Sequence, residues 1–152
     1  MMKLRELSQW LKAERDFDTD VEVMSAVEDS RRVTPGAVFV AVQGEHSDGH
    51  DHAEEAARQG AVAIVGKRQN LSELAGVPYL HSENPRQTLG LLAHRIAGDP
   101  SKSMTVIGIT GTNGKSSTAI LTQHVLKTCG CPAACFGTLG YTIAGETLAA
   151  KH

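Results

Sequence analysis

Aromatic residues are scarce in this chain: 3 Phe, 2 Tyr and 1 Trp among 152 residues, or 4%. A core must therefore be built from Val, Ile, Leu and Ala, within an ordinary apolar share of 41%. A basic surplus is also lacking, since 15 Lys+Arg face 17 Asp+Glu for a formal net charge of −2. That balance carries no basic stripe, so no nucleic-acid partner is expected. No apolar run approaches the ~20 residues that span a bilayer, so no membrane partner is expected either. Met1-Met2-Lys3-Leu4-Arg5-Glu6 has charge but no apolar stretch behind it, which argues against a signal peptide and for a cytoplasmic location. The cysteines are few and clustered: Cys129, Cys131 and Cys135. An odd, local set is no disulfide framework, and a fourth ligand at zinc spacing is missing. Reduced thiols at a helix end and along the following strand are expected.

What the chain does have is concentrated at Val106-Ile107-Gly108-Ile109-Thr110-Gly111-Thr112-Asn113-Gly114-Lys115-Ser116-Ser117. An apolar β-branched run enters a glycine-punctuated turn, and an amphipathic helix from Ser116 to about Thr128 follows. This is the build of a phosphate-binding loop for a nucleotide triphosphate. Glycines let backbone N–H groups close around phosphate, and the helix N-terminus adds partial positive charge. Lys115 reaches the β/γ-phosphates, and Ser116 offers its hydroxyl to Mg²⁺. The spacing departs from G-x-x-x-x-G-K-[ST], which needs glycine where Ile109 stands; the motif here is the shorter Gly111-Thr112-Asn113-Gly114-Lys115-Ser116.

The remaining pattern alternates strands and helices, which predicts an α/β fold. Leu4, Leu7, Trp10 and Leu11 predict a helix over 3–14. Val21 to Val27 reads as a strand. Ala37 to Val42 and Ala61 to Val65 are continuous apolar runs, as in strands buried on both faces. Between them, Ala53 to Gln59 reads as a helix closed by Gly60. Asp51, just ahead of it, reads as its N-cap. Val77 to Leu80 reads as a short edge strand. Asn84-Pro85 opens a further helix, with Asn84 as N-cap and proline in the first turn. Gly98-Asp99-Pro100-Ser101-Lys102-Ser103 is polar and rich in breakers, so a domain boundary is placed there, dividing 1–97 from 98–152. In the second part, a strand over 105–109 leads into the loop. A second strand, Ala133 to Phe136, follows the helix, and Tyr141 to Ile143 with Thr147 to Ala149 reads as a hairpin.

Two separated motifs carry a resemblance. Asp29-Ser30-Arg31-Arg32-Val33-Thr34-Pro35-Gly36, with Val38 to Gly44 and Asp48-Gly49-His50, resembles the N-terminal substrate domain of the Mur ligases. Gly108 to Ser117 resembles the ATP loop of their central domain. Phe136-Gly137-Thr138-Leu139-Gly140-Tyr141 is similar to the branch that adds the third residue of the peptidoglycan stem peptide, rather than to the D-alanyl-D-alanine-adding branch. Folylpolyglutamate synthetases share the loop but not the first motif. The resemblance implies a small N-terminal α/β substrate domain followed by the start of a P-loop ATP-binding α/β domain, truncated at this length. It implies ATP and Mg²⁺ as cofactors. It also implies UDP-N-acetylmuramoyl-L-alanyl-D-glutamate and a diamino acid as substrates, and a monomer.

By the same resemblance, Gly111, Thr112, Asn113, Gly114, Lys115, Ser116 and Ser117 bind ATP, Lys115 acts in catalysis, and the Ser116 hydroxyl meets Mg²⁺. Ser30 matches a serine that contacts the uridine nucleotide, with Glu28 beside it. Glu45, His46 and Ser47 fall in the loop that holds the uridine diphosphate end. The implied chemistry is phosphorylation of the D-glutamate γ-carboxylate, then attack of the diamino acid's amine on the acyl phosphate. The family's acidic Mg²⁺ ligand, carbamylated lysine and C-terminal domain are expected beyond His152, so these 152 residues alone are expected to be inactive. Read from the residues without the family, Asp29-Ser30-Arg31 is equally a strand-end turn. A non-catalytic nucleotide- or UDP-sugar-binding module and a small P-loop kinase are the other functional readings. The piece His46, Asp48, His50, Asp51, His52, Glu54, Glu55 suggests a metal cluster but fits no zinc spacing.

Overall fold

A computed structural model describes residues 2–13, 17, 20–44, 47–143 and 146–148. The chain divides into two compact units, Met1–Met104 and Thr105–His152. The division falls after the short 3₁₀ turn Pro100–Ser103, which belongs with the first unit.

The first unit begins with β1 (Met2–Lys3), α1 (Leu4–Trp10) and β2 (Glu22–Val23), with β1 antiparallel to β2. Then come β3 (Ser25–Val27), β4 (Ala37–Val40), α2 (Ala53–Arg58), β5 (Ala63–Gly66), β6 (Glu73–Leu74), β7 (Val77–His81) and α3 (Pro85–Ile96). Five strands form one sheet in the order β3-β4-β5-β7-β6. The first four run parallel, and β6 closes the edge antiparallel to β7.

The two continuous apolar runs become the central strands for a simple reason. A strand covered on both faces has no polar side to show. Val38 and Val40 point into one cluster with Leu4 and Leu7 of α1 and Leu92 of α3. Ala37, Phe39 and Ala41 point into the other, with Ala53 and Ala56 of α2. Phe39 is the only phenylalanine among the fully buried large side chains, so the shortage of aromatics is met by packing aliphatic layers.

Three expectations for strands and caps of the first unit change. The segment 21–27 is two strands, not one: Met24 is exposed, and the chain passes there from the small β1–β2 pair to the main sheet. Val77–His81 is not an edge strand, since it lies between β5 and β6. Its proline is tolerated because Pro78 faces only the two-residue β6, while pairing with β5 begins at Tyr79. Asp51 does not cap α2. Gly49–His52 forms a 3₁₀ turn ahead of that helix, capped by Asp48, whose side chain accepts the His50 N–H; the N-cap position of α2 is His52, with no side-chain cap bond. Asn84 does cap α3, accepting the Gln87 N–H at 3.2 Å, with Pro85 as the first helical residue.

The second unit holds α4 (Lys115–Thr128) and a three-stranded antiparallel meander, β8 (Cys135–Gly137), β9 (Gly140–Ile143) and β10 (Glu146–Leu148). Gln123 joins them, donating from Nε2 to the carbonyls of Ala133 and Thr142. The strand expected over 105–109 does not form among the described residues. Val106 and Ile107 are 70% and 57% exposed. An apolar parallel strand is stable only between neighbours, and the described strands of this unit pair with one another instead. Both hydrophobic core clusters belong to the first unit. Among the described residues no helix is long and apolar enough to cross a membrane.

Candidate functional site

The parallel strands β3 and β4 end at Val27 and Val40, and the chain leaves both through irregular segments. At that carboxyl end lies a cleft of about 490 Å³. Open α/β sheets present their ligand crevices at this end of the strands. Glu28, Asp29, Ser30 and Arg31 line it from the turn after β3, and Val42, Gly44, Ser47 and Gly49 from the loop after β4. His52 and Glu55 come from the start of α2, and Arg86 from the first turn of α3.

The structure thus brings Glu28, Ser30 and Ser47 to one cleft. Glu45 and His46 lie outside the described residues. Ser30 is buried and donates its hydroxyl to Glu55 Oε2 in a short hydrogen bond. Asp29 caps the 3₁₀ turn Ser30–Arg32 through the Arg31 N–H. Its carboxylate also grips the Arg31 guanidinium from both oxygens, at 2.9 and 2.8 Å. That hydrogen-bonded guanidinium holds Asp29 below the usual carboxylate range.

Behind the loop after β4 lies a chain of polar side chains. The Arg68 N–H donates to the Tyr79 hydroxyl at 2.9 Å, and Tyr79 meets His50 Nε2 at 2.8 Å. His50 Nδ1 lies 2.6 Å from Asp48 Oδ1, and the Arg68 guanidinium returns to Asp48 Oδ2 at 3.1 Å. One assignment satisfies every group. The tyrosine O–H donates to Nε2, and the protonated Nδ1 donates to the carboxylate. Burial pushes the Asp48 carboxyl up, but bonds from the His50 amide, the His50 ring and Arg68 outweigh it and set it at about 2. Burial raises the Tyr79 hydroxyl. The clasp has room because residue 66 is glycine: a Cβ there would sit 2.2 Å from His50 Nε2 and 2.4 Å from the Tyr79 oxygen. Within the histidine-rich piece, Asp48 and His50 thus form a hydrogen-bonded brace with Tyr79 and Arg68. No group of three or more potential metal ligands exists among the described residues.

In the second unit, Gly111, Thr112, Asn113, Gly114, Lys115 and Ser117 are exposed and Ser116 is half-buried. Gly114 caps α4 at a φ of +77°, a backbone that suits glycine, and Gly111 has a φ of +152°. The first turn of α4 carries no acid. The Lys115 ammonium donates to the carbonyls of Gly111 and Thr112, at 2.5 and 3.1 Å. These residues fit a triphosphate: two glycines at positive φ, first-turn amides at a helix start and a lysine folded back over the loop. Ser116 fits one Mg²⁺ position, since that ion takes few protein ligands beside phosphate and water oxygens.

The linings contributed by Glu55, His52 and Arg86 were not foreseen. Glu55 passes for an ordinary first-turn acid in sequence. Arg86 does carry a signal, because a cation in the first turn of a helix opposes its dipole.

The profile described as Mur ligase family, catalytic domain, matches residues 27–96. The chain is 37% identical over 145 residues to the UDP-N-acetylmuramyl-tripeptide synthetase of Deinococcus radiodurans, covering 93% of this chain and 30% of that protein. It is 40% identical over 145 residues to the UDP-N-acetylmuramoyl-L-alanyl-D-glutamate–2,6-diaminopimelate ligase of Mesorhizobium japonicum, covering 95% of this chain and 30% of that one. It is also similar to the solved structure of the MurF ligase from Thermotoga maritima in complex with ADP, at 33% identity and a TM-score of 0.53. That match covers 72% of this chain and 25% of the other. The chain thus spans about 30% of the length of these curated relatives.

Proposed function

The chain belongs to the Mur ligase family, and from that premise we propose that it forms part of an ATP-dependent amide-bond ligase of peptidoglycan precursor synthesis. In this reading the cleft of the first unit receives the uridine nucleotide of UDP-N-acetylmuramoyl-L-alanyl-D-glutamate. The glycine-rich loop receives ATP with Mg²⁺, and the incoming group is a diamino acid, meso-diaminopimelate or L-lysine. The enzyme works in the cytoplasm.

One observation carries the proposal: a single chain holds both a polar cleft at the ends of parallel strands and a Gly-Thr-Asn-Gly-Lys-Ser turn opening a helix. The names of the relatives add the substrate class. The division of labour follows from charge. Ser30 and Glu55 offer a hydroxyl and a carboxylate to a ligand's hydroxyls and imide. Lys115 and the first-turn amides of α4 would hold the phosphates and offset charge developing on the transferred phosphoryl. ATP supplies the phosphoryl that turns an unreactive carboxylate into an acyl phosphate, which an amine can attack.

The test is ADP release by the natural full-length protein that carries this sequence. Release should require the UDP-linked dipeptide and a diamino acid together, and mass spectrometry should find the UDP-linked tripeptide. Binding without turnover under all substrate combinations supports the stand-alone binding module instead. Turnover only with the UDP-linked tripeptide and D-alanyl-D-alanine supports the other ligase branch.

A further inference from the structure

We propose that Arg86 is the phosphate-recognising residue of the cleft, the group that makes it prefer a nucleoside diphosphate over the bare nucleoside. The inference rests on the uridine-nucleotide reading of that cleft.

Among the described residues the cleft has two guanidinium groups, Arg31 and Arg86. Arg31 is committed: its Nε and terminal nitrogen are both bound to Asp29. Arg86 is exposed, and no described residue pairs with it. The acidic side chains among the described residues are Glu28, Asp29 and Glu55. Asp29 is neutralised by Arg31, while Glu55 accepts the neutral Ser30 hydroxyl and interacts with the Arg31 charge without a direct ion pair. Two carboxylates, Glu28 and Glu55, thus have no direct ion-pair partner among the described residues of the cleft. They suit the donors of a nucleoside, namely its ribose hydroxyls and imide N–H. They repel a diphosphate. The cleft accepts both halves of such a ligand more readily if a cation is left for the phosphates, and among the described residues Arg86 is the guanidinium left unpaired.

Its position strengthens the argument. Arg86 is the second residue of α3, a twelve-residue helix with no acid in its first turn. Of the other helices of this unit, α2 has Glu54 and Glu55 in its first turn, and α1 has Glu6 beside Arg5, whose charge Asp20 meets at 3.8 Å. A cation at a helix start is disfavoured by the dipole, and no contact within the described fold offsets it at Arg86. An anion in the cleft removes the conflict, since it meets the guanidinium and the positive end of α3 together. The planar fork of arginine also binds phosphate through two parallel N–H bonds, which lysine cannot do.

The experiment is calorimetric titration of the 152-residue chain with UDP and with uridine. The unaltered chain should bind UDP more tightly than uridine. Arg86→Gln should weaken UDP by about tenfold or more, equivalent to about 1.4 kcal/mol, and leave uridine within about twofold. Arg86→Lys should fall between, keeping the charge and losing the fork. Arg58→Gln, outside the cleft on α2, should change neither. Trp10 fluorescence melts check that each variant stays folded. Equal weakening of UDP and uridine by Arg86→Gln overturns the inference, as does an unchanged UDP affinity; in both cases the cleft remains a nucleotide site. Failure of the unaltered chain to bind either ligand overturns the nucleotide reading as well.

Discussion

Gly66→Ala tests whether the clasp behind the cleft is as tightly built as its geometry states. Gly66 is the last residue of β5 and pairs with His81 of β7. A methyl group there would lie 2.2 Å from His50 Nε2 and 2.4 Å from the Tyr79 oxygen. Both rings are buried, at 7% and 2% exposure, so neither can swing into water. Parting the pair leaves a buried polar group unsatisfied, at about 1–3 kcal/mol. Forcing a methyl into a filled space adds about 1–3 kcal/mol. The lower entropy of the unfolded alanine chain returns only about 0.4–1 kcal/mol. The expected loss is about 3 kcal/mol, or a fall in Tm of roughly 12–24 °C for a domain of about this size. Trp10 is the single tryptophan and packs against the first unit's core, so its fluorescence reports the melting of that unit alone. The decisive comparison repeats the substitution in a His50→Ala background, where the nearest obstacle is gone. There Gly66→Ala should cost at least about 1 kcal/mol less, a coupling typical of touching residues. An unchanged Tm, or the same loss in both backgrounds, would refute the steric argument.

Further outcomes follow from the same geometry. Asp48 is set at about 2, below its ordinary 3.8, so its contribution is complete above about pH 4 and is lost as pH falls through 2. The carboxylate is one-third exposed, so solvent screening leaves about 1 kcal/mol; acid denaturation of Asp48→Asn should show a correspondingly shallower limb. In the full-length protein, Lys115→Ala should abolish ATP-dependent amide formation while the affinity for the UDP-linked substrate stays largely intact; lost substrate binding with unaltered ATP turnover would contradict the assignment. Asn84→Ala removes the cap of α3 and should lower stability by about 1 kcal/mol in the same fluorescence melts. Hydrogen exchange should find slow amides in Val38–Val40 and Ala63–Gly66 and fast ones over 105–110, where no strand partner exists among the described residues.

The parts of the fold legible in sequence are those whose cause is local. Continuous apolar runs locate β4 and β5, and Asn84-Pro85 locates the start of α3, because burial and capping act over a few residues. The reading fails where a partner decides the outcome. Val106 to Ile109 has the composition of a buried strand, but composition does not supply neighbours to pair with. Val77 to Leu80 reads as a short edge strand in sequence, and only the register of Val77–His81 against β5 and β6 makes it internal. Asp51 reads as a cap because it stands beside a helix, whereas it lies inside a 3₁₀ turn that Asp48 caps. In the site, Ser30 and the glycine-rich loop were visible as motifs. Glu55 and Arg86 reach the cleft from elements distant in sequence, and the Asp48–His50–Tyr79–Arg68 clasp joins three segments that only the parallel sheet brings together.

The central claim is that the cleft at the ends of β3 and β4 receives the uridine nucleotide of the UDP-linked dipeptide. Titrating UDP-N-acetylmuramoyl-L-alanyl-D-glutamate into the isotopically labelled chain and following backbone amide resonances tests it most directly. Saturable shifts should concentrate at Glu28–Arg31, Gly44, Ser47, His52, Glu55 and Arg86. The amides of Gly111–Ser117 should respond to ATP instead. Shifts confined to the glycine-rich loop on adding the UDP-linked dipeptide, or none at saturating ligand, would contradict the account.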